Sequence, residues 1–359
     1  MTIAKPTARI LLLIAMMAVP AFAQFQNGGQ STGLVLPLQS QKAVVTQRIG
    51  VTDITITYHR PLAKGRKIFG DVVPYGKVWR AGANENTTIE FTDPVTIEGK
   101  SLDAGVYGLH MIPNEDHWTV IFSKVSTAWG SFTYDEKEDA LRVDVKPQPS
   151  EERNALTYDF DQLQPDSAVA TLRWEKVAVP FQISVDVNKV TVESLHRQLR
   201  GLVRYTWDGW DDAATFMLEN NLDLAEALKD SDQSLQVEER FDNLITRSRI
   251  LEAMHRDDDA KAAQQKALAM ATPLQLHLYA RSLQNLKKPQ EAFAIFRMNA
   301  EKHPDQWYVH NGMARVYSSE GKFDDAVKED QVALSTAPDA NKPFIEGQIK
   351  KLQAKQDIN

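Results

Sequence analysis

The apolar residues change period near Thr191, and that change constrains the fold more than any other feature of the chain. Before it, apolar and polar positions alternate, as at Ile54, Ile56 and Tyr58. After it, Val192, Leu195, Leu199 and Leu202-Val203 recur at intervals of three and four. A period of two belongs to a strand with one buried face; a period near 3.6 belongs to a helix with one buried stripe. The 359 residues are long enough for two cores. The expected division is a β-rich domain over 41–188 and a helical domain over 191–359.

In the first part, strands are expected over 43–48, 51–58, 87–91, 95–98, 105–112, 118–123, 141–146, 156–160, 168–174 and 177–187. Turn residues separate them, among them Gly50, Asp93-Pro94, Gly99-Lys100, Pro113-Asn114 and Pro147 to Pro149. Short strands without intervening helices predict an all-β sandwich or jelly-roll-like barrel. Trp118, Phe122, Trp129, Phe132 and Trp174 are its expected large core residues.

The helical part carries an internal repeat. Ala225, Ala260, Ala292 and Ala326 stand 35, 32 and 34 residues apart, and Pro304 and Pro338 stand 34 apart. The last unit, with Tyr317, Gly321, Phe323, Ala326, Ala333 and Pro338, resembles the tetratricopeptide repeat. There, small residues let two antiparallel helices approach closely. In the unit before it, Lys287 stands where the turn glycine belongs. The expectation is a stack of about four helical hairpins closed by a polar helix over 341–356. Such a stack suits a protein partner, structural support or self-association.

The N-terminus reads as a secretory signal peptide over residues 1–23. Lys5 and Arg9 precede an apolar run from Ile10 to Val19, and Ala21-Phe22-Ala23 supplies the small residues of a cleavage site before Gln24. A flexible leader is expected over 24–40. Cleavage takes the formal charge from −7 to −9, because it removes Lys5 and Arg9. The expected location is therefore the periplasm or outside the cell. An acidic chain repels nucleic acid, and no second apolar run approaches membrane-spanning length. Neither nucleic acid nor stable membrane insertion after cleavage is expected. The chain has no cysteine, which excludes disulfides, thiolate metal sites and a cysteine nucleophile.

Polar chemistry concentrates in residues 58–92. Arg60, Lys64, Arg66 and Lys67 place four cations within eight residues. Trp79-Arg80 follows, then Gly82, Asn84, Glu85 and Asn86. Gly65 to Gly70 has the spacing of a phosphate loop, but Asp71 stands where that loop needs lysine. No dinucleotide fingerprint, nucleophile elbow or zinc-protease motif occurs. No cofactor and no metal site are expected, although strands can bring His59 and His110 together in space. The candidate ligand-binding residues are Arg60, Lys64, Arg66, Trp79, Arg80, Asn84 and Glu85. Arginine and amide groups suit carboxylates, phosphates and sugar hydroxyls, and Trp79 offers a stacking surface. The internal alternative pairs Arg60, Arg66 or Arg80 with Glu85, Glu90 or Asp71 to pin the loops.

These blocks also carry a resemblance. Arg60-Pro61, Lys64-Gly65-Arg66, Ile68-Phe69-Gly70, Pro74-Tyr75-Gly76, Val78-Trp79-Arg80, Gly82 to Glu85 and Ala104-Gly105 with Tyr107-Gly108 resemble the signature of domain-of-unknown-function family 2911 over about residues 40–185. The resemblance implies an exported bacterial protein with a compact β-rich domain. It carries over no catalytic residue.

Three functions stay open on this reading. One is a binding or scaffold module of the cell envelope, with an anionic or carbohydrate-like ligand on the β domain and a protein on the repeats. Another is a non-metal hydrolase-type enzyme using Glu85, His110 or His59, and Arg80. The third is a purely structural interaction module.

Overall fold

A computed structural model describes residues 37–359. The signal-peptide reading of 1–23, and most of the leader read over 24–40, lie outside the described residues. The chain separates into two compact units between Val185 and Asp186. Among the described residues no helix is long and apolar enough to cross a membrane.

The first unit is built from antiparallel strands. Six of them, β1 (Gln41–Ile49), β2 (Thr52–Arg60), β3 (Thr88–Phe91), β6 (Gly105–Pro113), β7 (Trp118–Ser123) and β8 (Asp139–Val145), form one sheet in that spatial order. The other sheet runs β5 (Lys100–Leu102), β4 (Val95–Ile97), β10 (Ser167–Ser184), β9 (Gln148–Asp161). Alternation explains which face is buried. Ile54, Ile56 and Tyr58 on β2, Leu109 and Met111 on β6, and Val120 and Phe122 on β7 all point into the core. The second sheet answers with Leu156, Tyr158, Leu172, Trp174 and Phe181. Phe122 meets Phe181 edge-on with centroids 6.0 Å apart, and Tyr58 meets Tyr158 at 4.8 Å.

Some local expectations change. Strands expected over 168–174 and 177–187 are one 18-residue strand, β10. Its ladder to β9 shifts register on either side of Glu175, which holds φ 49°. This is a β-bulge, which bends a strand without ending it. The Gly99-Lys100 turn lies one residue earlier: Ile97 pairs with Lys100, leaving Glu98-Gly99 as a two-residue loop with φ 48° and 78°. Two left-handed residues match the twist of a tight hairpin, and Lys100 begins β5. Trp118, Phe122 and Trp174 are buried. Trp129 and Phe132 are not core residues: they are 62% and 79% exposed.

The second unit is all helix. A short α1 (Val187–Gln198), capped by the Asp186 carboxylate on the Lys189 N–H, precedes four hairpins. These are α2 (Trp207–Glu219) with α3 (Leu224–Val237), α4 (Phe241–Ala253) with α5 (Asp257–Met270), α6 (Pro273–Asn285) with α7 (Pro289–Lys302), and α8 (Trp307–Ser319) with α9 (Phe323–Thr336). The last helix, α10 (Lys342–Gln353), packs on α9.

The hairpins repeat in their small residues and in their turns. Ala214, Ser248, Ala280 and Ala314 are buried on the first helices, and Ala227, Ala260, Ala292 and Ala326 on the second. Ala225, expected to begin this series, is exposed; Ala227 occupies the buried position. The spacings become 33, 32 and 34. Helices approach closely enough at these positions for Ser248 Oγ on α4 to donate to the carbonyl of Ala260 on α5, at 2.8 Å. Each hairpin turn places one residue in the left-handed region: Asn221, His255, Lys287 and Gly321, with φ 52°, 59°, 60° and 71°.

Candidate functional site

The site begins with an interruption of β3. Trp79 and Met111 bond each other's backbone, N–H to carbonyl, at 2.8 Å in both directions. The Leu109 N–H then reaches the carbonyl of Thr87, also at 2.8 Å. The chain therefore lies alongside β6 at Trp79, leaves it, and returns at Thr87. The excursion is pinned from the core side. Ala81 O accepts from Thr87 Oγ1 at 3.2 Å and from the Tyr158 hydroxyl at 2.9 Å. Ala81 and Asn84 both hold left-handed backbone, φ 51° and 57°, a conformation that costs a residue with a Cβ.

This geometry collects four polar side chains at one level of the outer sheet face. Thr57, Thr88 and Gly108 are in register across β2, β3 and β6. Two residues further along each strand direction come His59, Asn86 and His110. The Trp79–Met111 bridge puts Arg80 opposite His110 as well. All four lie on the side away from Tyr58, Leu109 and Met111, because successive side chains alternate. Gly108 forms the floor: a Cβ there would stand 2.5 Å from Asn86 Nδ2 and 3.3 Å from His110 Nε2.

The segment between β7 and β8 covers one side. His110 Nδ1 bonds Ser131 Oγ at 2.9 Å, and its ring packs 5.4 Å from that of Tyr134. The Tyr134 hydroxyl donates to Asp139 Oδ2 at 2.6 Å. The Arg80 guanidinium lies over the Trp129 ring at 5.6 Å. Trp129 in turn stacks on Phe132, 6.0 Å between centroids and 13° between planes. An exposed aromatic pair thus borders a buried polar group of residues.

Burial sets the charges. It pushes His110 down to about 4, so the ring is neutral at pH 7. His59 is also lowered by burial, against the opposing pull of Glu85, whose carboxylate lies 3.3 Å from His59 Nε2. Arg80 keeps its charge but is lowered by the same desolvation. Of the four clustered side chains, two carry a buried atom with no hydrogen-bond partner among the described residues: Arg80 Nε, a donor, and Asn86 Oδ1, an acceptor. Native proteins leave few such atoms dry and unpaired.

The seven candidate residues divide. Arg80 and Glu85 belong to this cluster. Arg60 Nε donates to Leu156 O at 3.1 Å. Arg66 donates to the carbonyls of Ala63 and Leu62, at 3.0 and 2.8 Å. Trp79 Nε1 donates to Gly82 O at 3.2 Å, and the ring stacks 6.0 Å from Trp174. Asn84 Nδ2 donates to Ser40 O at 3.2 Å. These four side chains hold backbone in place; the partners are carbonyl groups rather than the acidic side chains considered from sequence. Lys64 is exposed, and its N–H donates to Asn154 Oδ1 at 2.9 Å. Sequence reasoning missed Ser131, Tyr134 and the site-facing role of Trp129. Nothing local in the sequence ties the β7–β8 segment to residue 110.

Among the described residues, one group of side chains has metal-ligand spacing. It is His196, Glu226 and Asp230 in the helical unit, with one ligand atom from each within 4.8 Å of the others. Asp230 lies 3.3 Å from His196, and Glu226 pairs with Lys229 at 2.7 Å, an arrangement of ordinary ion pairs.

Residues 40–183 match the model of a family described as "Protein of unknown function (DUF2911)". No curated protein matches the chain. Solved structures align with the helical part. One is YrrB, a TPR protein with an unusual peptide-binding site, at 15% identity over 46% of this chain and 86% of that one, with TM-score 0.27. MamA aligns at 12% identity over 45% and 92%, TM-score 0.30. A tetratricopeptide repeat protein from Parabacteroides merdae aligns at 16% identity over 47% and 71%, TM-score 0.29.

Proposed function

We propose that this chain, a family-2911 β unit followed by tetratricopeptide-like helical repeats, is an exported binding module of the cell envelope. The β unit, read as a two-leaved sandwich, holds an anionic or carbohydrate-like ligand on its outer face, and the repeats hold a protein. One observation carries the ligand reading: buried Arg80 Nε and Asn86 Oδ1 lack partners beside the exposed Trp129–Phe132 stack. A donor, an acceptor and an aromatic platform together suit a hydroxylated or carboxylated ring. Export rests on the reading of residues 1–23.

Glycan arrays and a thermal-shift panel of sugars and organic acids on the mature chain test this. Hits should weaken about tenfold or more in Arg80→Ala, as expected for loss of a charge-assisted hydrogen bond. They should also weaken in Trp129→Ala, whose side chain is largely exposed and lies outside the core. Hits that bind both variants as well as the unaltered chain would remove the site from the outer face.

The hydrolase-type alternative draws on the Glu85–His59 contact and on the neutral His110. It divides the proposed acid–base pair, since Glu85 meets His59 while His110 meets Ser131. Turnover of any array hit that is abolished by Glu85→Gln would favour it over simple binding.

A further inference from the structure

The segment between β7 and β8 sets a hydroxyl against a histidine. Ser131 Oγ lies 2.9 Å from His110 Nδ1. The serine is half-buried and so open to solvent on one side, whereas the histidine is 2% exposed. Gly130, just before Ser131, holds left-handed backbone with φ 74°, and a Cβ on it would meet Arg80 Nη1 at 2.9 Å. A hydroxyl, an imidazole and a guanidinium therefore meet where the chain passes residue 130.

Each of the three is in the state that acyl transfer requires. A serine hydroxyl is a weak nucleophile until a neighbouring base takes its proton. Burial keeps the His110 ring neutral at pH 7, and in the tautomer with its proton on Nε2 the Nδ1 atom accepts from the serine O–H. Arg80 stays charged, and its Nε has no partner among the described residues. That leaves the side chain a donor for an oxygen that gains charge during reaction. A ring as weakly basic as this one is a poor base for the attack and a good acid for the departure. The combination suits an ester, whose carbonyl carbon is more electrophilic than that of an amide.

We propose that Ser131 is a nucleophile activated by His110, and that the outer face of the β unit carries out acyl transfer from esters. Ser131 Oγ bonds to the acyl carbon as its proton passes to His110 Nδ1, and the carbonyl oxygen takes up the electron pair beside Arg80. Collapse of this intermediate breaks the ester C–O bond, and the Nδ1 proton leaves with the alkoxide as an alcohol. Water then attacks the acyl-serine by the same route, releasing the carboxylic acid and restoring the hydroxyl. The covalent intermediate on Ser131 separates this reaction from the Glu85 alternative. That the ester is an O-acyl group on a hydroxylated ring rests on the ligand reading of this face; the nucleophile clause does not.

Labelling of the mature chain with a fluorophosphonate tests the nucleophile. The Oγ–P bond forms, fluoride leaves, and peptide sequencing by mass spectrometry locates the adduct. The adduct should fall on Ser131, disappear in Ser131→Ala, and form about a hundredfold or more slowly in His110→Gln. Ser126→Ala, in the same segment and equally half-buried, should label as the unaltered chain does. Circular dichroism establishes that each variant is folded. Should the buried His110→Gln fail to fold, the half-exposed Ser131→Ala still decides the nucleophile. No adduct on Ser131, or equal labelling rates in the unaltered chain and a folded His110→Gln, overturns the assignment, even where the ligand panel has given hits. Acetate release from glucose pentaacetate, lost in Ser131→Ala, supports the ring-ester clause. Labelling of Ser131 without acetate release keeps the nucleophile and overturns that clause.

Discussion

The hydroxyl of Tyr158, buried on β9 of one sheet, donates at 2.9 Å to the carbonyl of Ala81 in the excursion that shapes the outer face of the other. This hydrogen bond through the core joins the Thr87 hydroxyl in anchoring the loop that carries Arg80. Tyr158→Phe removes this donor while keeping the ring against Tyr58. The expected loss is about 1 kcal/mol of stability, the net worth of one hydrogen bond to a buried carbonyl that keeps its other donor in Thr87. Urea unfolding measures it, and hits from the ligand panel should weaken in parallel. Unchanged stability would show that Thr87 suffices to hold the loop.

The hairpin turns predict a gain. Lys287 holds φ 60° at the position where Gly321 serves the last hairpin. A left-handed residue with a Cβ costs roughly 1 kcal/mol that glycine does not. Lys287→Gly should stabilise the helical unit by up to about 1 kcal/mol, less the added entropy of the unfolded chain. His255→Gly should act alike, and the two should sum because the turns belong to different hairpins. Chemical denaturation of single and double variants tests the additivity.

Two helical glycines should respond with opposite sign to alanine. At Gly347 on α10 an added Cβ would meet nothing within 4 Å, whereas at Gly312 on α8 it would stand 2.5 Å from Phe296 Cδ1. Gly347→Ala is expected to stabilise by about 1 kcal/mol through helix propensity. Gly312→Ala is expected to destabilise by about 1–3 kcal/mol through overpacking between α7 and α8. Melting curves of the pair decide the matter, since propensity alone moves both the same way.

Acid should weaken the β unit through His110. Its folded value of about 4 lies below the ordinary 6.5. The unfolded chain therefore binds the proton more readily, and stability is lost as pH falls from about 6.5 towards 4. The full difference corresponds to about 3 kcal/mol. Asp211 and Asp330, each pushed up to about 6 by burial, act in the opposite direction. Comparison with His110→Gln isolates the histidine: the variant should show a flatter dependence of unfolding free energy between about pH 4.5 and 7. Identical slopes would mean that His110 gains a proton as readily folded as unfolded.

The strands were legible wherever alternation was strict, as at Ile54, Ile56 and Tyr58. The bulge at Glu175 was not, because its left-handed backbone on a residue with a Cβ leaves no compositional mark. Ala225 and Ala227 look equivalent in sequence, yet two residues is a rotation of about 200° on a helix, so one is exposed and the other buried. Trp129 and Phe132 read as core because large aromatics usually are; the structure instead stacks them on each other at the surface. The grouping of His59, Arg80, Asn86 and His110 depends on the Trp79–Met111 bridge. That is a pairing across more than thirty residues, with no periodicity of its own to announce it.

The placement of Trp129 has an optical consequence. Trp118 and Trp174 are buried in the same unit, whereas Trp129 is largely exposed and lies against a guanidinium. Iodide will quench its emission more strongly than that of the buried Trp118 and Trp174, and anything that settles beside Arg80 will shield it. The chain therefore carries an intrinsic fluorescent reporter at the lip of its own candidate site, readable without a label and silenced by Trp129→Phe.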